Sequence, residues 1–245
     1  MRPIIFLTLP LLVFACLPGR AQILLDVEGG VVVPGYNEIR IPGAGGTLFD
    51  ATDALDAQPK VYYRLRAGYR INDRHNLFAL YAPLAVDYEG AFGQVTQFEE
   101  AIFQPGEPVE LLYVFNSYRL TYRYDLVRQP NVRFGVGLTA KIRDAKIEVT
   151  GTDARDENTN VGFVPLVNLY LDWRFTERLG LLIEGDGLAS SQGRAFDFEV
   201  ALPLALTESL RARIGYRFLE GGANNDEVYN FTFLSYGLAG LSYHF

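Results

Sequence analysis

The chain has 245 residues, with 29 acidic side chains against 22 Lys and Arg, and a formal charge of −7. An acidic balance argues against nucleic acid as a partner, because neutralising phosphates needs a basic face. Hydrophobic residues make up 49% and mean hydropathy is +0.06, too polar for a helical membrane protein but compatible with strands in which every second residue is polar.

The amino end reads as an export signal. Arg2 supplies a positive charge, Ile4 to Leu17 is an apolar run broken only by Thr8 and Pro10, and Gly19-Arg20-Ala21 offers small residues for cleavage before Gln22. Two processing routes fit. Cleavage after Ala21 gives a single domain over 22–245. A lipoprotein route would use Val13-Phe14-Ala15-Cys16, in which Phe14 is bulky for the motif and Cys16 is the only cysteine. Loss of residues 1–21 removes Arg2 and Arg20 and no acid, so the formal charge falls from −7 to −9.

From there the chain reads as strands separated by turn signals. Ile23–Val33 is followed by a long Gly/Asp-rich loop to Pro59, and Val61–Ile71 by the tight Asn72-Asp73-Arg74-His75. Asn76–Tyr88 leads into an ambiguous segment ending at Pro108, in which Gln94–Phe103 reads equally as a hairpin arm, a loop strand or a small plug. Next come Val109–Leu126, a turn at Arg128-Gln129-Pro130-Asn131, Val132–Val149, a polar loop Gly151–Asn160 and Val161–Phe175. Leu179–Leu188, Ala195–Leu206, Leu210–Leu219 and Val228–Phe245 complete the series. Pro165 and Pro203 fall inside strands and predict local breaks, since proline lacks a ladder donor. Asp144 falls on the apolar parity of its strand and predicts a bulge near it.

The final strand ends Tyr243-His244-Phe245. One face carries Tyr229, Phe231, Phe233, Ala239, Leu241, Tyr243 and Phe245, and the other Asn230, Thr232, Tyr236, Gly240, Ser242 and His244. This period-two, aromatic-ended strand resembles the terminal strand of bacterial outer-membrane β-barrels, in which Tyr243 and Phe245 would serve as the assembly signal. The resemblance implies an all-β, antiparallel, up-and-down transmembrane barrel in the outer membrane. It also implies outer-membrane lipids, lipopolysaccharide and the barrel-assembly machinery as partners. The count is about ten strands, with eight or twelve also compatible, and every second connection is short, as periplasmic turns are. A monomer is expected.

Parity then divides the side chains. Outward positions include Leu112, Val114, Tyr118, Leu120, Tyr122 and Tyr124 in one strand, and Phe163, Val167, Leu169, Leu171, Trp173 and Phe175 in another. Inward positions are ionic. Bases are Arg64, Arg66 and Arg70, then Arg119 and Arg123, then Arg133, Lys141 and Arg143, then Arg211, Arg213 and Arg217. Acids are Asp26 and Glu28, Asp172, Glu184 and Asp186, and Asp197 and Glu199. Hairpin spacing sets Glu199 beside Arg217, and basic strands face acidic ones across the lumen. Such a cluster is either a salt-bridged filling or the lining of a narrow, porin-like channel or binding barrel.

Enzymes on this scaffold, such as omptin proteases and outer-membrane lipid hydrolases or acyltransferases, generally place a histidine at the outer rim. Here His75 and His244 both fall at the periplasmic end. The stronger expectation is a non-enzymatic barrel without cofactor or metal; the alternative is an enzyme acting on lipid or peptide. The acidic segments 153–158 and 224–227 lack the spacing of a calcium loop.

Overall fold

The computed structural model describes residues 22–245; the proposed leader and Cys16 lie outside them. In chain order the elements are β1 (Gln22–Arg40), β2 (Phe49–Asp50), α1 (Ala51–Ala54), β3 (Leu55–Ala57), β4 (Lys60–Arg70), β5 (His75–Ala82), β6 (Ala85–Ala91), β7 (Thr96–Phe98) and β8 (Ala101–Phe103). They continue with β9 (Pro108–Arg128), β10 (Val132–Thr150), β11 (Arg155–Arg174), β12 (Gly180–Ser190), β13 (Gly193–Ala205), β14 (Leu210–Asn224) and β15 (Tyr229–His244). The wall runs β1, β4, β5 with β6, β9, β10, β11, β12, β13, β14, β15 and back to β1, with antiparallel neighbours throughout. β5 and β6 are one wall strand interrupted at Pro83-Leu84, since both pair with β9. The barrel is therefore closed and ten-stranded, which removes the sheet edges that hydrocarbon cannot satisfy.

Outward side chains form the lipid belt. On β1, Ile23, Leu25, Val27, Val31 and Val33 are all exposed. That run matches the roughly 9–11 residues a tilted strand needs to cross a bilayer. Tyr122, Trp173, Phe175, Tyr243 and Phe245 are exposed at the short-turn end, as an interfacial girdle requires. The terminal residue is held in the wall, because Phe245 N–H donates to the Ile23 carbonyl at 2.9 Å and its ring meets Tyr243 edge-on at 4.7 Å.

Above the belt the polarity of the wall inverts while the pleat keeps its phase. On β10 the inward odd-numbered row passes from Lys141 and Arg143 to Ile147 and Val149, both buried, while Asp144, Lys146 and Glu148 face out. The bulge expected at Asp144 is absent: β10 pairs without a shift through Asp144↔Asn116 and Asp144↔Val161. Beyond the membrane the outside is water, so the apolar residues turn inward although the alternation is unbroken. The shift that does occur lies near the other end, between Phe134 and Gly135 opposite Val127 and Asp125.

The outer connections are shorter than the sequence suggested. β11 begins at Arg155, so only 151–154 turn, and the hairpin extends above the belt with Arg155 paired to Glu148 at 2.6 Å. Two long segments remain, 41–59 and 92–107, and they fold over the barrel. Within Gln94–Phe103, β7 and β8 form a small hairpin. It is tied to the other segment by Thr47 N–H to the Gln97 carbonyl (3.1 Å) and Glu99 N–H to the Ile41 carbonyl (2.8 Å). Phe98 and Phe103 are fully buried there, and Phe92 packs edge-on against Phe49 at 4.9 Å. With Ile39, Tyr88, Leu111 and Tyr113 of the wall they form an apolar cap.

Both prolines sit where one ladder is broken. Pro165 pairs with Ala140 of β10, but β11 pairs with β12 only from Val167 downward. Pro203 pairs with Arg213 of β14, while the β12–β13 ladder breaks after Leu182↔Ala201 and resumes at Leu179↔Leu204. Each lacks the N–H that would continue the pairing.

Candidate functional site

The inward charges meet at mid-height in a septum. Arg217, on β14, is its hub: its guanidinium donates to Glu28 (2.8 and 2.9 Å), to Asp197 (2.7 Å) and to Glu199. Asp197 also accepts both nitrogens of Arg64 (3.2 and 3.0 Å) and one of Arg119 (2.5 Å). Arg119 forks to Asp186 at 2.7 Å, and Asp186 takes further bonds from Thr139 (2.7 Å) and Asn168 (2.9 Å). Glu184 is shared by Arg66 at 2.7 Å and Arg123 at 3.1 Å. Arg213 closes the ring on Asp26 (2.5 Å) and Glu28 (2.9 Å).

Six arginines (64, 66, 119, 123, 213, 217) thus balance six carboxylates (26, 28, 184, 186, 197, 199). Charges this buried are stable only when paired and hydrogen-bonded, and the bidentate arginine fork meets that demand better than lysine would. The local sequence makes room for it. Gly240 lies opposite Arg213 in the β14–β15 register, and a Cβ there would stand 2.6 Å from the guanidinium carbon.

The register and cross-lumen pairings expected from the sequence are present, namely Glu199 opposite Arg217 and β9 facing β12 and β13. Lys141 and Arg143 depart from expectation. They sit above the septum, where Arg119 already occupies Asp186 and Asp197. Arg143 donates to Asn160 instead, and the Lys141 ammonium lies 4.7 Å from the Phe115 ring centre.

Other members were missed. Asp125, fully buried, pairs with Arg133 at 2.6 Å. It shares the inward parity of Arg119 and Arg123 and was legible from that alone. Arg123 also stacks on Tyr170, its guanidinium carbon 3.6 Å from the ring centre, a contact that local parity cannot show.

The septum divides the interior in two. Below it, a vestibule of about 80 Å³ reaches from Glu184 and Glu199 to His244. Above it, a cavity of about 450 Å³ ends on Asp186 and Asp197. His75 lies at the periplasmic end, bonded to the Tyr122 hydroxyl at 2.7 Å. Both histidines are therefore remote from the outer rim.

No family model and no curated protein matches the chain. Solved structures do. The outer membrane protease OmpT from Escherichia coli aligns with a TM-score of 0.56 at 12% identity, over 91% of this chain and 97% of that one. The translocator domain of the autotransporter NalP from Neisseria meningitidis gives 0.46 at 11% identity, over 93% and 89%. The attachment invasion locus protein Ail of Yersinia pestis gives 0.38 at 11%, over 91% and 99%. With its lipid belt, ionic interior and closed ten-stranded wall, the chain is a β-barrel of the bacterial outer membrane.

Proposed function

We propose that this barrel is a non-enzymatic, non-conducting outer-membrane protein whose role is structural or binding, with a lumen blocked at mid-height and an apolar outer cap. The observation that carries the reading is the septum. A through-path must cross the row from Arg64 through Asp197 and Arg119 to Asp186, every member of which is buried and bonded. An ion passing there must first part pairs that have little water to replace them, which costs several kcal/mol per charge. The apolar cap over part of the outer mouth adds a second barrier.

Planar-bilayer recording tests this. The purified protein should give no unitary conductance in molar salt. Stepwise openings that disappear on heat denaturation would overturn the closed reading in favour of a narrow channel.

A further inference from the structure

The wall has a side opening above the septum. β11 extends up to Arg155, yet its ladder with β12 begins only at Val167↔Gly187. Residues 155–166 have no β12 partner, although Leu188–Ser190 of β12 remain paired to β13. Pro165 withholds a donor within that stretch. Phe163 is 64% exposed on the outward face, and Leu188 is exposed across the slit, so the opening meets the apolar belt in its outer-leaflet half. An unpaired edge at that depth is costly unless it borders a cavity.

It does border one. The cavity of about 450 Å³ has Phe163, Pro165, Leu188 and Phe196 at its mouth and Phe115 and Lys141 at its depth. That volume lies in the range of small-molecule sites. Lys141 is 3% exposed and makes no hydrogen bond or ion pair with any described residue; its ammonium lies over the Phe115 ring. The other charges around the cavity are engaged: Asp186 and Asp197 with Arg119, Arg194 with Glu220, and Arg143 with Asn160. The cap reaches β11 at its outer end, where Glu100 N–H donates to Asp156 (3.1 Å) and Asn158 donates to Glu99 (2.6 Å), above Phe163 and Pro165 at the cavity's mouth.

We infer that the cavity binds a single-chain anionic amphiphile entering from the outer leaflet, its head on Lys141 and its acyl chain lying in the slit between β11 and β12. The apolar mouth accepts the chain, and the unmatched ammonium at its end selects a carboxylate or phosphate. The site is independent of whether the septum conducts.

Tryptophan quenching in phosphatidylcholine nanodiscs tests it. The single native Trp173 lies at the opposite end of β11, so the reporter is Phe163→Trp in a Trp173→Phe background. The probes are 9,10-dibromostearate, a lysophosphatidic acid carrying the same chain, and dibromostearate methyl ester. At least one anionic probe should quench saturably, and which one does identifies carboxylate or phosphate as the head. The methyl ester should quench only in proportion to its bilayer concentration. Lys141→Met should weaken anionic binding at least tenfold and Lys141→Arg much less. A Leu120→Trp reporter in the same background, on the lipid face of β9, should never saturate. Quenching that is unsaturable, equal for ester and acids, or unchanged by Lys141→Met would overturn the proposal. The ester comparison decides the matter even if the Met variant folds poorly.

Discussion

Replacing Arg217 with methionine strands one carboxylate in particular. Glu28 keeps Arg213 at 2.9 Å and the Tyr62 hydroxyl at 3.1 Å, and Asp197 keeps Arg64 and Arg119. Glu199 keeps only Arg213, at 3.6 Å. Removing one partner of a buried pair costs about 3–5 kcal/mol, most of it from the charge left behind. Arg217→Met should therefore lower stability by about that amount. Adding Glu199→Gln removes the stranded charge, so the double variant should regain a large part of the loss. An exposed pair sets the scale. Lys60 and Asp87 lie 2.5 Å apart with side chains 44% and 53% exposed, and Lys60→Ala should cost about 1 kcal/mol or less. Urea titration of the barrel refolded into phosphatidylcholine vesicles, followed by Trp173 emission, reads all of these. A cost below about 1 kcal/mol for Arg217→Met, or a double variant no better than additive, would refute the view that the septum is a mutually dependent network.

Phe98→Ala empties a fully buried site in the cap and should cost about 3–5 kcal/mol of local stability. It should speed proteolysis of 92–107 yet leave conductance at zero, because the septum lies below. Glu107, in the outer segment, accepts N–H bonds from Gln104 (3.0 Å) and Thr152 (2.8 Å), and these hold its carboxyl below the ordinary range. A lowered folded value means the contribution is present above the unfolded pKa and lost as pH falls through the folded one. Amide exchange at 104 and 152 should accelerate in acid, and Glu107→Gln should remove that dependence. Phe245→Ala removes the terminal ring from the inner girdle and should reduce the heat-modifiable, folded fraction in cells while leaving refolding into detergent intact.

How far the sequence reached follows from the physics of each feature. Period-two alternation is local, so all ten wall strands, the phase of the lipid belt and the inward rows could be read directly. The register about the turn at Thr207-Glu208 was also local, which is why Glu199 beside Arg217 could be placed. The cap could not be placed, because Phe98 and Phe103 are buried by residues tens of positions away in 41–57 and in the wall. Parity misleads at Asp144 because one face of the sheet meets two environments. The wall passes from hydrocarbon to water along β10, so polarity reversed while geometry did not. Lys141 shows the same limit. It shares a row with Arg143, but its lack of an acidic partner depends on how Arg119, on the neighbouring strand, divides the carboxylates.

The central claim is that one unbroken pleat carries lipid-facing residues at mid-height and water-facing residues above, with ions and then an apolar cap enclosed behind them. A nitroxide scan along β10 from 138 to 149, in vesicles, tests it most directly. The account predicts oxygen access at Leu138 and Ile142, access to a water-soluble nickel reagent at Asp144, Lys146 and Glu148, and low access to both at Thr139, Ile147 and Val149. A phase change near 144, or oxygen access at Thr139, Ile147 or Val149, would contradict it.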